Sequence, residues 1–378
     1  MIVQTRHSAH LETLQQHLTK AVQPIAHSLD ADSSALFGAF EQLANLGLLL
    51  PKTPEEFGGL GLDASAYQQF QSGVARYSGA LAFLQTQHQS AASLLLSGEN
   101  DYLAQQYLPQ MATGKIGLGV GFSQLRRQPP TLTATPVNNG YLLSGEVPWV
   151  SGYGLFTEFV GAAVLPTGEA VFGLLPLTSQ QLTGQQLTGQ QLNGQQTTGQ
   201  QTTGQLVVSQ PMRLAGMNAT NTVQVFLEDW ILPAEKVVGR RAAGWIEERD
   251  RANPLSPLGL IFGCSQGALD VLTQSLERRG IKHGIAQQLQ MKLAWQQTNA
   301  ARVTALPPDA YPQKLALRGR AISLMNTCAQ AAIVAASGAA NAPDHPAQRI
   351  HQESLVFSVS GQTTDGAAAT LDSLLSSL

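Results

Sequence analysis

Histidine and cysteine are the side chains best suited to bind a metal, relay a proton or attack a carbonyl. The eight histidines, at positions 7, 10, 17, 27, 88, 283, 345 and 351, are scattered. None is paired at i, i+4 or set near a cysteine, so no metal site is expected. His7, His10 and His17, the closest group, sit at the N-terminus and are expected to face solvent. Cys264 and Cys328 each stand alone in an apolar stretch that reads as buried helix, where a free thiol behaves as a small hydrophobe. No disulfide is expected, and a reducing cytoplasm is the default compartment. A Gly-rich phosphate loop of the Walker or Rossmann kind and a Gly-x-Ser-x-Gly elbow are both missing from the chain.

The surface chemistry is equally spare. Only 12% of the 378 residues are charged and the formal net charge is −3, which leaves no basic stripe for nucleic acid. The first 29 residues carry charges and histidines at intervals, unlike a signal peptide. Nowhere do 18 consecutive residues stay apolar, so no membrane span is expected. The segment 180–205 repeats a five-residue unit, QQLTG drifting to QQTTG. That period fits neither helix nor coiled coil, and its few apolar groups cannot offset the ordering entropy. It reads as an expanded surface loop between two strands.

The elements that must position any site fall into three textures. From Leu11 to about Gln110, apolar residues recur every three or four positions, as at Leu36, Phe40, Leu43, Leu46 and Leu50, which predicts helices. From Ile116 to about Glu235 the runs shorten to strands, such as Thr131–Val137, Tyr141–Ser144, Glu158–Val164, Ala170–Leu175 and Thr222–Leu227. Asn139-Gly140 is a hairpin signal among them. From Trp245 the helical period returns: Leu258, Ile261, Phe262, Leu269, Leu272 and Leu276 mark one helix. Pro307-Pro308 opens another that runs to about Gly338, and Leu371, Leu374, Leu375 and Leu378 mark the last. The expected fold is α+β: an N-terminal helical domain (1–115), a middle antiparallel β-barrel domain (116–238) and a C-terminal four-helix bundle (239–378).

Three stretches in this order resemble the acyl-CoA dehydrogenase superfamily. LANLGLLLPKTPEEFGGLGLD (Leu43–Asp63) is similar to its N-terminal signature, YLLSGEVPWVS (Tyr141–Ser151) to its middle-domain strand, and GMNATNTVQVFLEDWILPAEKVVG (Gly216–Gly239) to the segment closing that domain. The resemblance implies bound FAD, with Trp149 against the flavin ring and the Ser151 hydroxyl donating to its N5 edge. Read without it, Trp149 is a core residue of the β region and Ser151 caps a turn. It also implies that Arg279 reaches the FAD phosphates, a task suited to a permanent, forked cation. Gln287 and Gln290 stand in a Gln-containing helix start, Gly338 in place of one glycine of a Gly-Gly pair, and Gln362-Thr363 near the adenine end. An acyl-CoA substrate and a homodimer or homotetramer are implied as partners.

The chain departs from that pattern where chemistry is expected. Removing the α-proton of an acyl thioester needs a carboxylate, yet Gly361 stands at the usual position of the base and Asn253 at the alternative one. Asp250, three residues before Asn253, and Asp365, four after Gly361, are the candidate substitutes, each about one helical turn away. The family stretch that lines flavin and pyrophosphate is replaced by Phe122-Ser123-Gln124 and Leu125-Arg126-Arg127, in which the two arginines are candidate phosphate contacts. Three functions are therefore expected to compete. One is an FAD-dependent oxidoreductase acting on the CH–CH group of an acyl thioester, in fatty acid metabolism. Another is a flavin monooxygenase or oxidase on the same fold, and the third a non-enzymatic paralogue.

Overall fold

The structure, a computed structural model, describes residues 2–181 and 204–376. The expectation for the repeat at 180–205 therefore lies almost wholly outside the described residues. Six helices come first: α1 (Ile2–His17), α2 (Ser28–Ala31), α3 (Ser33–Asn45), α4 (Ala64–Tyr77), α5 (Gly79–Leu96) and α6 (Asp101–Ala112). Asp32, Asp63, Ser78 and Asn100 cap α3 to α6, each accepting from a backbone N–H of the first turn, which satisfies donors the helix cannot pair itself. The stripe Leu36, Phe40 and Leu43 is fully buried, while Leu46, the C-cap, is exposed.

Nine strands follow among the described residues: β1 (Leu118–Gly121), β2 (Leu132–Val137), β3 (Gly140–Val150), β4 (Glu158–Val164), β5 (Ala170–Pro176), β6 (Gln180–Gln181), β7 (Gln205–Val208), β8 (Val223–Pro233) and β9 (Val237–Arg241). They form one sheet in the order β6-β7-β8-β3-β2-β4-β5-β9, with β1 pairing β4. The sheet is mixed rather than purely antiparallel, because β1 and β2 both pair with β4 in parallel. It curls until β5 faces β8: a side chain at Gly173 would meet Leu232. The β2–β3 turn sits one residue earlier than the Asn-Gly signal implies. Val137 pairs with Gly140, and Asn139 supplies the positive φ. Gly140 instead admits β8, since a Cβ there would lie 2.2 Å from the Leu232 carbonyl oxygen.

The remaining helices are α7 (Trp245–Ala252), α8 (Leu258–Arg278), α9 (Ile285–Thr304), α10 (Tyr311–Ala336), α11 (Pro346–Val359) and α12 (Thr364–Leu375). A glycine stripe on α8 joins them to the first domain. A Cβ at Gly259, Gly263 or Gly267 would strike Gln71, Ser72 or Arg76 of α4 within 2.8 Å, so only glycine lets the two backbones approach this closely. Arg76 then forks onto Asp270 at 2.7 and 3.0 Å. By length and hydropathy α10 and its flanking turns could cross a bilayer, but half of that span is buried inside the molecule. Among the described residues both cysteines are free and buried, Cys264 on α8 and Cys328 on α10.

Candidate functional site

Trp149 sits where β3 breaks register with β8. Val147 pairs with Val225 and Val150 with Val223, so β3 carries one extra residue between them. A bulge of this kind re-aims a side chain, and Pro148, which lacks an N–H, is tolerated at such a break. Val147 and Val150 point into the core while the indole between them is 47% exposed. Trp149 is thus not a core residue, contrary to the reading without the resemblance. Ser151 is buried, and its Oγ lies 2.7 Å from Thr222 Oγ1. Thr222 Oγ1 lies 3.1 Å from Thr220 Oγ1, which donates to the Met217 carbonyl at 2.8 Å.

Beside β3 the turn Ser123–Arg126 bridges the sheet to α7. Arg126 grips Asp250 with two hydrogen bonds, Nε to Oδ2 at 2.6 Å and an Nη to Oδ1 at 2.7 Å, and the Asp250 side chain is 14% exposed. Arg127 lies 3.5 Å from Glu146. Neither arginine is simply solvated, and Asp250 is not an exposed surface charge. Phe122 and Phe172 each meet Trp245 edge-on and lie tilted to one another, with the Arg249 guanidinium over Phe122 and Trp245. Burial lowers the Arg249 pKa, the neighbouring Asp250 opposing that shift. Asp365 is exposed and accepts from the Tyr311 hydroxyl at 3.1 Å.

Position 361 also departs from what a base requires. Gly361 has φ +59, with nothing within 4 Å of a Cβ built there. The carbonyls of Ser360 and Gly361 and the Gln362 side chain accept from one guanidinium nitrogen of Arg318, and the Pro254 carbonyl from another. Arg318 is 3% exposed, and burial lowers its pKa. A cation here satisfies the carbonyls at the end of α11. Thr363 caps α12, its hydroxyl accepting from Gly366 N–H. Neither Arg318 nor Thr222 is singled out by sequence. An arginine inside the apolar run LALRGRAISLM was a usable signal for the first. The second pairs with a residue 71 positions away.

The remaining candidates gather at the far ends of α8 and α10. Arg279 donates to the Ala335 carbonyl at 2.9 Å, which brings it to the turn holding Ser337 and Gly338. Ser337 has φ +58, a region that favours glycine, and Gly338 is exposed. Gln287 and Gln290 line an open groove of about 710 Å³ with Glu277, Lys282 and His283, though Gln290 exchanges two hydrogen bonds with Gln266. Among the described residues no group of three or more metal-ligating side chains occurs. His7 is a correction: it is buried, 3.7 Å from Asp63, rather than solvent-facing.

Residues 4–115 match the family described as acyl-CoA dehydrogenase, N-terminal domain. The chain is 24% identical over 295 residues to the probable acyl-CoA dehydrogenase YngJ of Bacillus subtilis, covering 75% of this chain and 72% of that protein. It is 24% identical to the mitochondrial isovaleryl-CoA dehydrogenase of Pongo abelii over 61% of this chain, but spans about half of that relative, 51%. The fold is similar to that of glutaryl-coenzyme A dehydrogenase in its glutaryl-CoA complex, with TM-score 0.75, 16% identity, and coverage of 98% and 94% of the two chains. It is likewise similar to butyryl-CoA dehydrogenase from Megasphaera elsdenii, with TM-score 0.74, 13% identity and 98% of both chains.

Proposed function

This chain belongs to the acyl-CoA dehydrogenase superfamily, and on that premise we propose that it is an FAD-dependent oxidoreductase acting on the CH–CH bond of an acyl thioester such as an acyl-CoA. The observation that carries the reading is the half-exposed indole of Trp149, turned out of the sheet by the bulge two residues before the buried Ser151. A planar heterocycle fits there on two counts. The indole offers an uncovered aromatic face, and on the turn that packs against β3, Ser123 Oγ is buried without a hydrogen-bond partner among the described residues, a cost a polar ring edge would relieve. When bound, the flavin supplies the hydride acceptor. Arg279, Gln287, Gln290, Gly338, Gln362 and Thr363 are the remaining proposed cofactor contacts.

For the proton, Asp250 is the better placed acid, because Asp365 is exposed and faces Tyr311. Arg126 takes one lone pair on each Asp250 oxygen, so the carboxylate must present a remaining lone pair, or turn away from Arg126, to reach the α-carbon proton. That pairing also favours a second reading, a monooxygenase or oxidase on the same fold, whose use of reduced flavin and oxygen requires no such carboxylate. Anaerobic titration of the flavin-loaded protein with a panel of acyl-CoAs separates the two. Bleaching in the wild type that Asp250→Asn abolishes supports the dehydrogenase. Absence of bleaching, with substrate-dependent reoxidation of reduced flavin in air, supports the second.

A homo-oligomer is part of the proposal. Met291 and Trp295 of α9, Leu355 and Val359 of α11 and Leu371 and Leu375 of α12 are all exposed, more apolar surface than a lone bundle usually leaves in water.

A further inference from the structure

We infer that Ser151 offers the ring beside Trp149 an oxygen lone pair and not a hydroxyl proton, because that proton is committed to a one-way chain of hydroxyls ending on the Met217 carbonyl; Thr222 and Thr220 are then positioning residues for the flavin edge. The inference rests on the flavin reading above, and it reverses the donor role that the resemblance implies for Ser151.

The direction follows by elimination. A carbonyl oxygen only accepts, so the Thr220 hydroxyl spends its single proton on Met217 O at 2.8 Å. Thr220 Oγ1 can then only accept across its 3.1 Å contact with Thr222, which uses the Thr222 proton. Thr222 in turn can only accept across the 2.7 Å contact with Ser151, which uses the last proton. All three side chains are buried. Reversing Ser151 would leave the oxygens of Thr220 and Thr222 facing each other with no proton between them. The far end is fixed as well: Met217 is held at φ +58, its N–H donating to the buried Asp30 carboxylate at 2.9 Å.

Oxidised flavin N5 is an acceptor, and the 5-deaza analogue replaces it with a carbon that cannot accept. The test is the affinity of apoprotein for FAD against 5-deaza-FAD. Wild type is expected to bind FAD no more tightly than 5-deaza-FAD, because an oxygen lone pair gains nothing from N5. Thr222→Val, or Thr220→Val should the first variant fail to fold, frees the Ser151 proton. Either is expected to favour FAD by roughly fivefold, the size of one net hydrogen bond. Adding Ser151→Ala to either should restore parity. A fivefold or larger preference for FAD in wild type that Ser151→Ala removes overturns the inference while leaving the flavin reading intact. Binding of neither compound overturns the flavin reading itself.

Discussion

His88 illustrates how a single side chain can look functional and be structural. It is fully buried, edge-on to Phe40 and stacked on Phe156. Its Nδ1 accepts from Leu118 N–H at 3.2 Å, and its Nε2 lies 3.1 Å from the Met111 carbonyl, to which it donates. The ring is therefore neutral, and burial pushes its pKa down to about 4 from 6.5. The folded state then binds fewer protons than the unfolded state between those values. The stabilisation is present above pH 6.5 and is lost as pH falls toward 4, by about 3 kcal/mol in all. Urea unfolding across pH 7 to 4 should show that loss, and His88→Leu should flatten it by one proton. Equal slopes in both proteins would count against the neutral buried ring. Sequence alone could exclude metal spacing for this histidine, but it could not reveal two backbone partners 23 and 30 residues away.

Between elements, the link most exposed to test is the one from the turn Ser123–Arg126 to α7. Arg126 and Asp250 are 124 positions apart, so local pattern could not pair them, and the sequence offered one as a phosphate contact and the other as a base. Because both side chains are at least three-quarters buried, removing one partner leaves a poorly solvated charge. Arg126→Met should cost about 1–2 kcal/mol, and a double-mutant cycle with Asp250→Asn should return a coupling on the order of 1 kcal/mol. Additive single effects in denaturant melts would show the pair to be inert. The bulge that frees Trp149 was hidden for a similar reason: periodicity marks β3 as a strand, but the extra residue is visible only against the register of β8.

At the scale of the molecule, the order helices, sheet, helices was legible because each block keeps one hydrophobic period over many residues. The curl of the sheet and its parallel pairings were not, since they depend on which distant strands meet. If the apolar faces of α9, α11 and α12 pair with other copies, charges placed there should separate the assembly. Trp295→Glu with Val359→Glu is expected to shift sedimentation from an oligomer to the monomer without unfolding the chain. A wild type that already sediments as a monomer would end the oligomer proposal. The stem of the pentapeptide repeat has a consequence of its own. Gln180 pairs with Leu206 and Gln181 with Gln205, so the two ends of the insert are zipped together at its root. The entropy of closing a loop grows only with the logarithm of its length, about 0.6 kcal/mol per doubling. Adding one QQLTG unit between these paired ends is therefore expected to change stability by less than about 1 kcal/mol, which thermal unfolding of the lengthened protein would check.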